Sequence, residues 1–192
     1  MKRRTRRAVL GAVGASAIGF GGCLGGGDGG GDAERGATDS PDDGSGTDEM
    51  SAWRTAELTD VTTDEQFRIS ELDAPVLVHP FAIWCSTCSR QNREIDALQR
   101  ENGREVVQLN IGDSENGDDV LEYAEANGYA DHSRFAVASS SVASALVEDF
   151  GPAAVSPPQS PVILVCSDGN AHEIGKVAGP ETIESEIETN CG

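Results

Sequence analysis

The chain has 192 residues, enough for one ordinary domain with appendages, and its 33 acidic and 14 basic residues give a formal net charge of −19. Such an acidic surface argues against nucleic acid and anionic lipid headgroups as partners, because it repels both. Five of the basic residues lie within positions 2–7, and Lys176 is the sole lysine after Lys2. An acidic, lysine-poor composition is typical of halophilic proteins, in which salt screens the self-repulsion. An ordinary acidic protein is the alternative.

Residues 1–22 have the pattern of an export signal. A basic segment precedes the mainly apolar residues 8–20, a run too short for an ordinary membrane-spanning helix. Residues 5–10 resemble a twin-arginine signal, and residues 20–23 resemble a lipobox, with Phe20 in place of the usual leucine. We therefore expect cleavage before Cys23 and lipid attachment to that cysteine. An uncleaved signal anchor with an incidental cysteine is the alternative.

Residues 23–50 are predicted to form a disordered tether. Gly, Asp, Ser and Thr dominate this segment, so it cannot bury enough apolar surface to offset the entropy lost on ordering. We expect it to hold a folded domain, residues 51–192, at the extracytoplasmic side of the membrane.

The folded domain begins with two extended segments separated by turn-rich residues, which predict a β-hairpin over residues 53–58 and 66–69. Further strands are predicted at residues 75–81, 105–111, 134–138, 161–166 and 171–177. Helices are predicted from Ser86 or Ser89 to Asn102, at residues 118–127 and 140–149, and from Pro180 onward. Strands first alternate with helices, and a hairpin and helix then close the chain. This order predicts an α/β sandwich with a mixed sheet.

Cys85 and Cys88 form a Cys-x-x-Cys motif between a predicted strand and a predicted helix. On the first turn of a helix the two sulfurs can form a bond, and unpaired N–H groups with the helix dipole favour a thiolate at Cys85. Cys85 is thus the candidate nucleophile and Cys88 the resolving thiol, and this chemistry requires no cofactor. A purely structural disulfide and half of a zinc site are the alternatives. A Cys₄ site would need a second close pair, which Cys166 and Cys191 do not form in sequence.

Residues 82–88, with Trp84 directly before the cysteines, and the later Pro161 before an apolar strand resemble the thioredoxin superfamily. The leading hairpin, the connector at residues 69–72 and the additional elements at about 118–138 are similar to its membrane-tethered TlpA-like group. The resemblance covers about residues 52–192. It implies a thioredoxin-like three-layer sandwich, with helices on both faces of a mixed central sheet and an N-terminal β-hairpin. It also implies an extracytoplasmic thiol–disulfide oxidoreductase that acts on protein thiols and disulfides and receives electrons from a membrane donor.

The same resemblance implies a substrate groove formed by Trp84, Ser160 and Pro161. In the family, the proline before the strand is cis and lies against the dithiol, where it discourages metal capture. The backbone of the preceding residue, here Ser160, pairs with the bound substrate. A trans proline at the entry of the strand is the alternative for Pro161.

Two residues depart from the family pattern. His79 occupies a position where the family often has a buried Asp, Asn or Glu, and a buried imidazole there could accept a proton from Cys88. A hydrogen-bonded core histidine without a kinetic role is the alternative. Pro80 replaces a common aromatic residue, and because proline lacks an N–H donor it predicts a bulge or an unpaired stretch.

Cys166 and Cys191 allow two interpretations, an inert core thiol at Cys166 or a structural disulfide between the two. For the dithiol, reduction of protein disulfides is the direction expected by analogy with tethered relatives. A disulfide oxidase or isomerase of the same fold is one alternative. A module of another class, which delivers a metal through Cys85, Cys88 and a histidine, is the other. The sequence shows no second ligand cluster for such a module.

Overall fold

The computed structural model of the protein describes residues 50–192. The predicted export signal at residues 1–22, the predicted lipid-attachment residue Cys23 and the predicted tether up to residue 49 lie outside the described residues. Within residues 50–192, no helix has both the length and the apolar character needed to cross a membrane.

Seven strands form a small hairpin and one mixed sheet. In chain order they are β1 (Leu58–Thr59), β2 (Gln66–Phe67), β3 (Val76–Phe81), β4 (Glu105–Asn110), β5 (Arg134–Val137), β6 (Val162–Val165) and β7 (Ala171–Ile174). β1 pairs with β2, and the other strands form one sheet in the order β5-β4-β3-β6-β7. β3, β4 and β5 run parallel, whereas β6 is antiparallel to both β3 and β7. The predicted mixed sheet is confirmed.

Helices cover both faces of this sheet. They are α1 (Ala52–Thr55), α2 (Ser86–Asn102), α3 (Gly117–Asn127), α4 (Ser140–Phe150) and α5 (Pro180–Cys191). Val78 of β3 packs in one core cluster with Leu146 of α4. Its neighbour Leu77 packs in another cluster with Ile95 of α2 and Ile183 of α5. Because successive side chains of a strand point to opposite faces, these contacts confirm the predicted three-layer sandwich.

The helix α2 follows the central strand β3 and carries the cysteine pair at its N-terminus. It begins at Ser86, the first of the two predicted starts, with Cys85 as its N-cap residue. Gly103 ends the helix with a φ of 62°, a left-handed conformation that glycine adopts without a steric penalty. A short link after β3 therefore delivers Cys85 to the N-terminus of a long helix that buries one face against the sheet.

The predicted first strand of the hairpin is wrong over residues 53–57, where the short helix α1 covers Trp53 to Thr55. Trp53 is fully buried, its indole N–H donates to the carboxylate of Asp149 at 2.7 Å, and its ring packs edge-on against Phe150. These contacts with α4 hold a single helical turn that no local pattern predicts. The paired part of the hairpin is limited to β1 and β2.

Pro80 lies within β3, where the sequence predicts a bulge or an unpaired stretch, and the structure shows the second of these on one side of the strand. The pairing of β3 with β4 continues through this residue, with Pro80 opposite Leu109. On the other side, β6 pairs with β3 only at residues 76–78. At Pro80, β3 is therefore unpaired on the side of β6. The missing N–H of proline costs no hydrogen bond to that strand.

Cys166 and Cys191 form a disulfide, the second of the two interpretations. Their Cα atoms are 5.2 Å apart, within the ordinary range for this bond. The bond joins the residue after β6 to the last residue of α5. It fastens the C-terminal helix to the central sheet.

Candidate active site

Cys85 and Cys88 form a disulfide at the N-terminus of α2, with their Cα atoms 5.2 Å apart. The backbone N–H of Cys88 points at Cys85 Sγ, at 3.1 Å. Cys85 is 2% exposed and Cys88 is fully buried, whereas the adjacent Trp84 is 66% exposed. Because N–H groups at a helix N-terminus and the helix dipole stabilise a thiolate, Cys85 is the sulfur that this geometry activates.

The carboxylate of Glu115 holds the backbone directly before Cys85. It accepts from the N–H of Ile83 at 2.9 and 3.0 Å and from the N–H of Trp84 at 3.3 Å. The side-chain amide of Asn110 donates to the same carboxylate at 2.6 Å. Sequence reasoning missed Glu115, since no local pattern distinguishes it from the many other carboxylates of this chain.

The segment before β6 reaches the dithiol through Pro157. Its carbonyl oxygen lies 3.1 Å from Cys88 Sγ. The hydroxyl of Ser160 lies 3.0 Å from the same oxygen and 2.7 Å from the carbonyl oxygen of Pro80. Ser160 is fully buried, so its hydroxyl serves contacts within the protein.

The peptide bond before Pro161 is trans, so the predicted cis proline is wrong. Within residues 50–192, the cis bond is the one between Ala74 and Pro75. Trans is the form that X–Pro bonds ordinarily favour, by about 0.5–1 kcal/mol. Pro161 thus enters β6 as a trans proline, which was the alternative. Ser160 and Pro161 are buried and Trp84 is exposed, and a groove formed by these three residues stays a prediction.

His79 is fully buried on β3. Its Nδ1 lies 2.9 Å from Gln108 Oε1, and its Nε2 lies 2.9 Å from Lys176 Nζ. Burial, followed by the charge of Lys176, lowers the pKa of His79 from 6.5 to about 3. The contacts with Gln108 and Lys176 occupy both ring nitrogens, so His79 is hydrogen-bonded within the core, and its role as a proton acceptor stays a prediction.

Lys176, which lies between the end of β7 and the start of α5, is a second site residue that sequence reasoning missed. Its Nζ donates to Ser160 Oγ at 3.0 Å and to His79 Nε2 at 2.9 Å. Burial lowers the pKa of Lys176 from 10.5 to about 8. The sequence offers one signal, the rarity of lysine, but the approach of Lys176 to β3 depends on the tertiary structure.

The dithiol is the reactive group of this site. A pair of cysteines in this position can pass between a disulfide and two thiols, with the exchange of two electrons and two protons. Within residues 50–192, no three His, Cys, Asp or Glu side chains cluster as a metal site would require.

No family model matches the sequence, and no curated protein does. Solved structures of thioredoxin-like thiol–disulfide oxidoreductases match the fold. A thio-disulfide isomerase from Thermus thermophilus has a TM-score of 0.56 and 17% identity, over 71% of this chain and 93% of that chain. The exposed lipoprotein thioredoxin of Streptococcus pneumoniae has a TM-score of 0.56 and 17% identity, over 70% of this chain and 98% of that chain. A secreted disulfide oxidoreductase of Mycobacterium tuberculosis has a TM-score of 0.53 and 9% identity, over 71% and 97% of the two chains.

At identities this low, the similarity shows a shared fold alone. The chain has the thioredoxin-like fold.

Proposed function

We propose that this protein is a thiol–disulfide oxidoreductase that reduces disulfides of other proteins. The observation that carries the proposal is the Cys85–Cys88 pair at the N-terminus of α2, with the exposed Trp84 beside it. The names of its structural neighbours, a disulfide isomerase, a lipoprotein thioredoxin and a secreted disulfide oxidoreductase, support the same chemistry.

The reaction begins with both cysteines reduced. The Cys85 thiolate attacks one sulfur of a substrate disulfide, a mixed disulfide forms, and the other substrate sulfur leaves as a thiolate. The Cys88 thiol then loses its proton and attacks Cys85, which releases the second substrate thiolate. The substrate gains two electrons, and both of its thiolates take up protons from solvent. The protein is left with the Cys85–Cys88 disulfide.

A further reductant must restore the dithiol after each cycle. We assign this role to a membrane dithiol reductase, the donor that the resemblance to the membrane-tethered TlpA-like group implies. Reduction is the proposed direction, and oxidation or isomerisation of substrate disulfides is the alternative that the same sulfur chemistry allows.

The proposed site of action is the extracytoplasmic face of the membrane, with the chain anchored by lipid on Cys23. The twin-arginine pattern at residues 5–10 and the lipobox pattern at residues 20–23 support this location. A Cys23→Ser change should release the mature protein from the membrane fraction, as measured by fractionation. Retention of that variant in the membrane would contradict the lipid anchor.

Trapping the mixed disulfide tests the catalytic proposal. In the Cys88→Ser variant, the intermediate on Cys85 cannot be resolved, so substrate proteins should stay attached through a bond that added thiol breaks. Non-reducing electrophoresis and mass spectrometry would identify them. A Cys85→Ser variant should trap none and is the matched control.

The direction of electron transfer follows from the redox state of the trapped partners and from the turnover of a model protein disulfide. The unaltered protein should reduce a model protein disulfide when a chemical dithiol regenerates it. If nothing is trapped and no model disulfide is reduced, the oxidoreductase proposal is wrong. Stoichiometric copper or zinc bound by the dithiol in the purified protein would favour the metal-delivery alternative instead.

A further inference from the structure

A polar cluster lies next to the dithiol, and Lys176 is its charged member. Its Nζ donates to Ser160 Oγ at 3.0 Å and to His79 Nε2 at 2.9 Å. Ser160 Oγ lies 3.0 Å from the carbonyl oxygen of Pro157, and that oxygen lies 3.1 Å from Cys88 Sγ. A short series of contacts therefore links the ammonium group to the buried sulfur.

His79 orients this ammonium group without neutralising it. An amide oxygen only accepts, so Nδ1 of His79 carries the ring proton and donates to Gln108 Oε1. The bare Nε2 then accepts from Lys176. A neutral imidazole at this position leaves the full positive charge of Lys176 in place, whereas a carboxylate would have cancelled it.

Lys176 has no carboxylate partner within residues 50–192. The ion pairs of this part of the chain all use arginine. A partly buried ammonium group without an opposite charge is unfavourable, which agrees with the lowered pKa of Lys176, about 8. A thiolate at Cys88, formed after the disulfide is reduced, would place a negative charge next to this cluster.

The backbone next to Lys176 is fixed by α2. Gln91 donates its side-chain N–H to the carbonyl oxygen of Ala178 at 3.0 Å and accepts from the N–H of Ala178 at 2.9 Å. Val177 has a φ of 62°, a conformation that is unfavourable for a β-branched residue. Backbone strain of this kind persists only where the surroundings impose it, and here it accompanies the turn that carries Lys176.

We propose that Lys176 is the counter-charge of the resolving cysteine: its ammonium group, oriented by His79 and Ser160, stabilises the thiolate of Cys88. Lys176 does not contact the sulfur, so it is a positioning residue. In the resolving step, the Cys88 thiol gives its proton to solvent and its thiolate bonds to Cys85. The bond between Cys85 and the substrate sulfur breaks, the substrate leaves as a thiolate, and the lysine stays protonated throughout.

The effect depends on pH through Lys176 itself. Its charge is present below about pH 8 and is lost above it, so the support for the thiolate ends as the amine deprotonates. Of the other titratable groups near the dithiol, His79 of β3 contacts Lys176 directly. Glu115, before α3, binds the backbone preceding Cys85, and Tyr123 of α3 accepts from Asn92 at 3.0 Å. Glu115 is negative and opposes the formation of a thiolate, so it cannot replace Lys176.

A thiol titration in the full-length chain tests the proposal. In a Cys85→Ser background, the thiolate absorbance of Cys88 is followed against pH, and the same chain with Cys88→Ser is subtracted to remove the signal of Cys23. At a pH below the pKa of Cys88, Lys176→Gln should lower the thiolate fraction of Cys88 about tenfold, because the positive charge that stabilises the thiolate is removed. Lys176→Arg keeps the charge and should retain most of the thiolate. Arg90→Met, which removes an exposed positive charge two residues after Cys88, is the matched control and should change little.

An unchanged Cys88 titration in folded Lys176→Gln protein overturns the proposal. If circular dichroism shows that this variant is unfolded, the coupling between the two groups is measured from the titration of the Lys176 amine instead. Because the coupling is reciprocal, Cys88→Ala should lower the pKa of the Lys176 amine in the Cys85→Ser background, as measured by lysine-selective NMR. An unchanged lysine pKa in that comparison overturns the proposal as well.

This inference rests on the proposed function, but its failure is distinguishable from the failure of that function. The titrations need no substrate, so they can succeed or fail whether or not partner proteins are trapped. If trapping succeeds and the titrations do not respond to Lys176, the oxidoreductase stands without this counter-charge. If the titrations respond and no disulfide is reduced, the charge pair exists and the reaction is another one.

Discussion

At the residue scale, partly buried charged groups and their hydrogen bonds surround the dithiol. Glu115 is an example, because its carboxylate accepts from two backbone N–H groups before Cys85 and from Asn110. Hydrogen bonds to an ionised group are stronger than those between neutral groups. The active-site loop is thus held by a charge from outside the motif that sequence reasoning recognised.

Replacement of Glu115 with Gln should destabilise the oxidised protein by about 2 kcal/mol, because charge-assisted hydrogen bonds are lost and the new amide group faces N–H donors. The measurement is urea unfolding followed by circular dichroism. Glu125→Gln, on an exposed position of the same region in α3, is the control and should stay within about 0.5 kcal/mol of the parent protein. Equal stability of the two variants would contradict this role of Glu115.

Because burial lowers the pKa of His79, we expect the protein to lose stability in acid. Its folded pKa of about 3 lies below the ordinary value of 6.5, so between these values the unfolded state binds a proton that the folded state does not. The stability contributed by neutral His79 is present above pH 6.5 and is lost as pH falls toward 3, by about 1.4 kcal/mol per pH unit.

His79→Gln removes this titration. The free energy of unfolding should therefore fall more steeply in the parent protein than in the variant between about pH 6.5 and pH 5, with a difference of about 1–2 kcal/mol. His132→Gln, at an exposed position, should follow the parent protein. Parallel curves for the parent and His79→Gln would show that burial of His79 has no such effect.

At the scale of elements, α2 and α5 pack on the same face of the sheet and are secured by different means. Ile95 of α2 and Ile183 of α5 belong to one core cluster. α5 is also fixed at its end by the bond between Cys166 and Cys191. The segment between β7 and α5 carries Lys176, so the attachment of α5 also secures the cluster beside the dithiol.

The double variant Cys166→Ala and Cys191→Ala should lose about 3 kcal/mol of stability, because the bond closes a loop of 25 residues and restricts the unfolded chain. Calorimetry would measure this loss, and hydrogen exchange should be faster in α5. The rate at which the Cys85–Cys88 pair reduces a model disulfide should stay within about twofold of the parent protein at a temperature where both are folded. Unchanged stability would mean that the bond adds no constraint.

At the scale of the whole molecule, the net charge of −19 opposes the compact state. The ion pairs between arginine and carboxylates lie at partly or largely exposed positions, where such pairs contribute about 0–1 kcal/mol each. Salt weakens these pairs and also weakens the repulsion among the excess carboxylates. Because acidic residues are in excess, we expect the net effect of salt to be stabilising. The interpretation of the composition as halophilic stays a proposal, which the salt dependence of stability can test.

The melting temperature should rise when potassium chloride is increased from about 0.1 M to 1 M, because the screening length falls from about 10 Å to about 3 Å. Sodium chloride should act similarly, since screening depends on ionic strength. Sucrose at matched osmolality is the control for effects that do not involve charge. A melting temperature that stays constant or falls in both salts would contradict the self-repulsion argument.

Sequence reasoning reached the sheet, the helices and the dithiol because each has a local pattern. The apolar run at residues 76–78 predicted a central strand, and Cys85 with Cys88 predicted the start of α2. The helical turn at Trp53 was missed because its cause is a contact with Asp149, far along the chain.

The same limit applies to the candidate site. Only the tertiary structure brings Lys176 and Glu115 close to the dithiol, and their own neighbours in sequence carry no signal of that position. The cis state of Pro161 was inferred from a family resemblance, and the turn before β6 instead carries a trans bond. Local patterns therefore predicted the reactive atoms, whereas the groups that tune them had to be found in the folded structure.

The two tryptophans of the chain lie in opposite environments, Trp84 at 66% exposure beside the dithiol and Trp53 fully buried against α4. Fluorescence can therefore separate events at the active site from unfolding of the core. A Trp53→Phe variant leaves Trp84 as the sole emitter, and its intensity should change when the adjacent disulfide is reduced or when a partner covers the indole. A Trp84→Phe variant leaves Trp53, whose emission should be insensitive to the redox state and should shift to the red only when α1 leaves the domain. Each cysteine reaction proposed above could thus be followed in real time by a reporter that the chain already contains.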